Sequence, residues 1–278
     1  MRTIDTKEIA ESVYRLARRA GLKVTDSCRR ALKAAEKAET GAAKFALSTV
    51  LENERTAQRE GMPVCQDTGL SVVLMEIGQD VHLTGAPLKE AVDDGVRRAY
   101  KDGNFRKSVC DPLTRENTGD NTPAQLHTEI AAGDKIKITF LPKGFGSENM
   151  SKIYMLTPAE GAEGIVNAVV ETVRLAGSRP CPPVYVGVGL GSSFDGCAYL
   201  AKKALTREVG SRNPRPDIAA LEEETLARIN ALKIGAQGFG GKVTAIGVSF
   251  EVAPTHIAGL PVAVNIQCHC VRCEEEVL

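Results

Sequence analysis

Cys65 stands in "GMPVCQDTG" (61–69), between a proline turn and an acid, with Gln66 and Asp67 beside it and a glycine to follow. A thiolate is a soft metal ligand or a nucleophile. A neighbouring carboxylate can give or take a proton. The opposing reading makes Cys65 a small apolar residue heading the strand "LSVVLMEIG", because free cysteines are among the most buried residue types. A second segment with chemical potential is "APTHIAGLPVAVNIQCHCVRC" (253–273). His256 follows Pro254-Thr255 and precedes a glycine turn, so it belongs to a connection and not to an apolar face.

The chain has eight cysteines, at 28, 65, 110, 181, 197, 268, 270 and 273. The N-terminus carries acids at Asp5, Glu8 and Glu11 and no apolar signal core, which predicts a cytoplasmic protein. In a reducing compartment a disulfide framework gives way to metal or cluster binding. The C-x-C-x-x-C run of Cys268, Cys270 and Cys273 would begin a zinc site. No second C-x-x-C closes it, and His269 points away from Cys268 if the strand continues. Cys28 and Cys197 fall inside helical runs and read as packing residues. Cys65, Cys181 and Cys268 fall at the ends of elements. Three thiolates so placed would hold three irons of a cubane cluster and leave a fourth open as a Lewis acid. Spacing does not by itself choose this over the other readings.

Other polar, glycine-rich segments also sit where strands end. "DPLTRENTGDNTPAQ" (111–125) lacks helical or strand periodicity. "PKGFGSENMS" (142–151) frees backbone N–H groups to face an anion, with Ser147 and Asn149 as further donors. "GVGLGSSFD" (187–195) imitates a dinucleotide loop but lacks the third glycine of G-x-G-x-x-G.

These residues need elements to position them. The first 60 residues read as helices: Ile9, Val13, Leu16 and Ala20 share a face, Gly21 stops the run, and Thr25 or Asp26 caps the next helix. "LHTEIAAGDKIKITFLPKG" reads as two strands joined at Gly133-Asp134. Helices at "LKEAVDDGVRRAYKDG", "AEGIVNAVVETVRLAG", "FDGCAYLAKKALTREVG" and "DIAALEEETLARINALKIG" alternate with strands at "PPVYVGVGLG", "KVTAIGVSFEVAP" and "PVAVNIQC". The expected fold is α/β: a helical N-terminal region (1–60) and a mixed α/β cluster-binding part (61–278), within one domain of 278 residues. Lys+Arg and Asp+Glu are both 35, so no basic surface argues for nucleic acid. No apolar run approaches a membrane span.

Six segments, "MPVCQDTG", "DPLTRENTGDNTPA", "KGFGSENMS", "PCPPVYVGVGLG", "GAQGFGGKVTA" and "THIAGLPVAVNIQCH", together resemble the alpha subunit of class I fumarate hydratases and the related tartrate dehydratases. The resemblance runs from about residue 10 to the end. It implies a [4Fe-4S] hydro-lyase whose cluster has three Cys ligands and one open iron. By this resemblance Cys65, Cys181 and Cys268 are the ligands, and Asp67 and His256 form a catalytic proton relay. Gln66, Arg106 (in "NFRKSVCDPL") and Gly146 contact substrate. It also implies a beta subunit that completes the active site, an α2β2-type hetero-oligomer, and a chain inactive alone. The main expectation is dehydration of malate to fumarate; the alternative is L-tartrate. Phe145 and the "LGSS" turn depart from the family pattern and leave the substrate open. A reading of another class is a four-thiolate redox or sensing module that recruits Cys270 or Cys273.

Overall fold

The computed structural model describes residues 1–278. Along the chain run β1 (Arg2–Asp5), α1 (Thr6–Leu22), α2 (Asp26–Ala38), α3 (Gly41–Glu60), β2 (Leu70–Gly78), β3 (Val81–Thr84) and α4 (Leu88–Asp102). There follow β4 (Gln125–Ala131), β5 (Ile136–Lys143), the single turn α5 (Phe145–Glu148), β6 (Lys152–Leu156), α6 (Gly161–Ala176) and β7 (Val184–Ser192). The last elements are α7 (Phe194–Ala204), α8 (Pro216–Ala231), β8 (Ala245–Thr255), β9 (Leu260–Gln267) and β10 (Glu274–Val277). The expected α/β class and the three N-terminal helices are present. No helix is long and apolar enough to cross a membrane. Backbone contacts divide the chain into two units.

Unit 1 comprises Met1–Thr25, Asn53–Phe145 and Arg272–Leu278. Its sheet has the order β10-β5-β2-β4, with β2 parallel to β4 and antiparallel to β5. The two strands expected around Gly133-Asp134 both exist, but they do not pair, because β2 lies between them. Helix α1 buries Ile9, Val13 and Leu16, and α4 buries Val92, Val96 and Tyr100, in one core with Val73, Met75, Ile138 and Phe140. Each such aliphatic side chain contributes about 1.5–3 kcal/mol when fully buried. Gly21 does not stop α1; it lies inside the last turn, where a Cβ would meet the Phe105 ring at 2.2 Å.

Unit 2 comprises Asp26–Glu52 and Gly146–Val271, and its sheet has the order β6-β9-β7-β8. Strands β7 and β8 are parallel, and β9 runs antiparallel to β7. Helices α6 and α8 bury Ile165, Val169, Ile218 and Ile229 against Val186, Val188, Phe250 and Val264. Helix α7 packs very close to β7: a Cβ at Gly189 would stand 1.9 Å from the Cys197 carbonyl oxygen. Gly187 and Gly189 of "GVGLG" therefore serve helix–strand packing, a Cβ on Gly191 would meet the Ala253 carbonyl of β8, and Cys197 is a packing residue as expected. Glu39, at the end of α2, is buried and accepts the Val243 backbone N–H at 2.6 Å, which ties down the glycine loop before β8.

Candidate functional site

In unit 1 the site begins at the turn between α3 and β2. Cys65 is half-buried, with its Sγ 3.4 Å from Gln66 Oε1. Asp67 folds back on its own turn: Oδ1 accepts the Gly69 N–H at 3.0 Å, and Oδ2 accepts the Phe145 N–H at 2.8 Å. The expectation that "KGFGSENMS" aims a backbone N–H at an anion is met by a group of this chain, the Asp67 carboxylate. Ser147, offered as a further donor, is buried. Arg106 brings Nη2 to 3.6 Å from Asp67 Oδ1 while its side chain stays 57 % exposed. Its backbone carbonyl accepts from Thr68 Oγ1 at 2.7 Å. The predicted acid and the predicted carboxylate clamp are thus neighbours, and the guanidinium remains open to an anion from solvent.

The main chain of this turn is held from beneath. Arg272, buried, donates from Nη2 to the Asp67 carbonyl at 2.9 Å. The Tyr100 hydroxyl lies 2.8 Å from both the Thr68 and Gly69 carbonyls and donates to one at a time. Burial pushes this phenol up to about 12, so it stays a donor at every physiological pH. Asn121 adds a bond from Nδ2 to the Gly69 carbonyl at 3.2 Å. Neither Arg272 nor Tyr100 was marked by the sequence as part of the site.

Unit 2 brings Gly146, Cys181 and Cys268 into one neighbourhood. Strand β9 ends at Gln267, so the chain turns at Cys268 and His269 does not continue outward. Instead the His269 backbone N–H donates to the Cys181 carbonyl at 3.3 Å, and its Nδ1 lies 2.9 Å from the same oxygen. The same Nδ1 lies 3.1 Å from Gln237 Nε2, so the His269 ring stands between a carbonyl acceptor and an amide donor. Gln237 Nε2 donates to the Pro182 carbonyl at 3.0 Å. Cys181 has φ +53°, a left-handed conformation costly for a residue with a Cβ. It persists because Ser178, His269 and Gln237 fix the loop on both sides. The nearest neighbour of a Cβ on Gly146 would be the Arg179 carbonyl at 3.9 Å, two residues before Cys181.

Of the remaining cysteines, Cys110 and Cys273 are half-buried, as Cys65 and Cys268 are. Cys28, Cys197 and Cys270 are buried. The Cys28 thiol donates to the His269 carbonyl at 3.1 Å. Desolvation, with Glu275 and Glu274 adding, pushes the Cys273 thiol up to about 12, which opposes the thiolate a metal requires. Cys65 and Cys268 are half-buried and Cys181 is exposed, each in a connection outside the helices and strands. In each unit by itself these are soft, accessible sulfur donors of the kind an iron–sulfur cluster takes: Cys65 in unit 1, Cys181 and Cys268 in unit 2. No three His, Cys, Asp or Glu side chains are gathered as they would be around a single metal ion.

His256 is exposed in the β8–β9 turn, where its Nδ1 accepts the Ala258 N–H at 3.1 Å. It stands at the start of β9, and Cys268 stands at the end. The eight residues of that strand put roughly 26 Å between the two ends at about 3.3 Å per residue. Within unit 2, therefore, His256 does not join Cys181 and Cys268.

The family model described as fumarate hydratase (fumerase) matches residues 10–276. The "Putative L(+)-tartrate dehydratase subunit alpha" of Methanocaldococcus jannaschii is 41 % identical over 272 residues, which is 95 % of each chain. The "L(+)-tartrate dehydratase subunit alpha" of Escherichia coli strain K12 is 34 % identical over 244 residues, 87 % of this chain and 80 % of that one. The protein of the same name from Shigella boydii gives the same figures.

Proposed function

This chain belongs to the fumarate hydratase (fumerase) family of hydro-lyases, and we propose that it is the alpha subunit of an L(+)-tartrate dehydratase. The observation that carries the substrate is the 41 % identity over 95 % of both chains to a relative bearing that name. Malate, the main expectation from the sequence, becomes the second reading, supported by the family description alone. Both substrates are 2-hydroxy dicarboxylates that lose water across adjacent carbons. Loss of one hydroxyl and the neighbouring C–H proton from tartrate gives water and the enol of oxaloacetate.

In this reading Cys65, Cys181 and Cys268 hold a [4Fe-4S] cluster. When bound, that group supplies a Lewis-acidic iron to the hydroxyl that leaves. Arg106 holds one substrate carboxylate through paired hydrogen bonds, with Gln66 and Gly146 as further contacts. Asp67 passes to the departing oxygen a proton that it receives from His256, its partner in the relay. His256 stands roughly 26 Å along β9 from Cys268 at about 3.3 Å per residue, so it serves a site on a second copy of the chain. This accords with an α2β2 assembly. A beta-type partner supplies the base that removes the C–H proton and the second carboxylate clamp.

The test is anaerobic cluster reconstitution of the chain alone and with its beta partner, followed by assay of L-tartrate, malate and methylated analogues. The expected result is turnover only with the partner, with kcat/KM highest for L-tartrate. A kcat/KM at least about tenfold higher for malate would return the assignment to fumarate hydratase. Full turnover by the chain alone would remove the partner.

A further inference from the structure

We infer that Arg272 is the positioning residue for Asp67, an inference that rests on Asp67 being the acid of the proposed reaction. Arg272 is the largest fully buried side chain of the protein, 1 % exposed. A desolvated guanidinium is costly unless acceptors replace its hydration, and an apolar residue of the same volume would pack without that cost. Its position is explained by what it holds. Nη2 donates to the Asp67 carbonyl at 2.9 Å, and the next two carbonyls of the turn, Thr68 and Gly69, are held by Tyr100 and Asn121. Three successive carbonyls are thus fixed by buried side chains, and only Arg272 is charged.

The carboxylate end of Asp67 meets the same guanidinium across a bare stretch of backbone. A Cβ built on Gly144 would fall 3.3 Å from Asp67 Oδ2 and 3.8 Å from Arg272 Nη2. The next residue, Phe145, donates its N–H to Oδ2 at 2.8 Å. Glycine at 144 lets carboxylate and guanidinium flank one point with no side chain between them. An acid that must meet a departing oxygen loses rate steeply when displaced by an ångström. The planar fork of arginine fixes direction as well as distance, which the point charge of lysine does not.

The experiment uses the reconstituted complex with its partner and compares R272K, G144A and a control, V169A, which removes core volume in unit 2. Each is assayed with whichever 2-hydroxy dicarboxylate the wild type turns over. Iron content, melting temperature and amide exchange in peptides 66–70 and 143–147 are measured alongside. R272K is expected to lower kcat at least about tenfold, with KM within about twofold and iron unchanged. Exchange at Gly69 and Phe145, whose N–H groups bond the carboxylate, should quicken. G144A should lower kcat likewise, because its methyl crowds Oδ2. V169A should lower the melting temperature and leave kcat and exchange alone. Equal kcat in R272K and V169A, or a raised KM with unchanged kcat in R272K, overturns the inference. If R272K does not fold, wild-type kcat in G144A overturns it. A wild type that dehydrates none of these substrates defeats the functional reading instead, and the exchange data still decide whether Arg272 orders the turn.

Discussion

In the proposed reaction Asp67 is the acid, and its two oxygens are differently engaged. One accepts the Gly69 N–H and faces Arg106; the other accepts the Phe145 N–H. Asp67→Asn keeps the shape of the turn and one acceptor, so the variant should fold and bind iron as the wild type does. It should lose turnover by about 10²-fold or more, the scale of a general acid. Iron analysis and steady-state kinetics on one preparation check both halves, and normal turnover would remove Asp67 from the mechanism. The "CQD" run stood out because unusual residue types lay between recognisable elements, whereas the choice of Cys65, Cys181 and Cys268 among eight cysteines came from the family resemblance and not from spacing. Arg272 was not. Nothing in "CHCVRCEEEVL" marks an arginine as buried, since its burial follows from a tertiary contact with a turn some 200 positions away.

At the scale of elements, long periodic segments were read correctly and short ones were missed. Helices α1, α4, α6 and α8 each carry an apolar face over several turns, and β2, β7 and β9 are near-continuous apolar runs. Strands β1, β3, β6 and β10 have only four or five residues, too few for a period-2 pattern, even the Val81–Leu83 alternation of β3, to stand out. The tail "EEEV" becomes a strand only because β5 offers an edge and α1 offers cations. Arg15 pairs with Glu276, Arg19 Nε lies 3.2 Å from Glu274 and Lys23 Nζ lies 2.9 Å from the same carboxylate. The Arg15 hydrogen bond holds Glu276 below the usual carboxylate range. A carboxylate with a depressed folded pKa stabilises above its unfolded pKa and loses that contribution as pH falls through the folded value. The double substitution Glu274→Gln and Glu276→Gln should therefore cost about 1 kcal/mol at pH 7, the scale of a small exposed ion-pair network. The gap to wild type should close at pH 3. Urea midpoints at the two pH values measure it, and a gap that persists in acid would mean the tail is held by its backbone pairing alone.

For the whole molecule, the geometry of β9 decides what one chain can do. His256 and Cys268 occupy opposite ends of a strand about 26 Å long at about 3.3 Å per residue, so no rotamer unites them. A histidine that acts in trans predicts complementation. Asp67→Asn and His256→Asn enzymes, each inactive alone, should regain up to about a quarter of wild-type activity when subunits are mixed and reassembled, because some hybrid sites then lack neither residue. No recovery would assign His256 a role in its own chain or none. The proposed dehydration needs an iron that no protein thiolate holds. The most direct measurement is EPR of the anaerobically reconstituted complex during brief exposure to air. A three-thiolate site loses the open iron and should give close to one [3Fe-4S] spin per alpha chain, with activity falling in step and both reversed by ferrous iron. Cys65→Ser, Cys181→Ser and Cys268→Ser should each abolish the signal, and Cys273→Ser should not. A cluster that stays silent and intact in air, or one that survives Cys268→Ser and is lost with Cys273→Ser, would mean that the cluster has four thiolate ligands or a different third ligand.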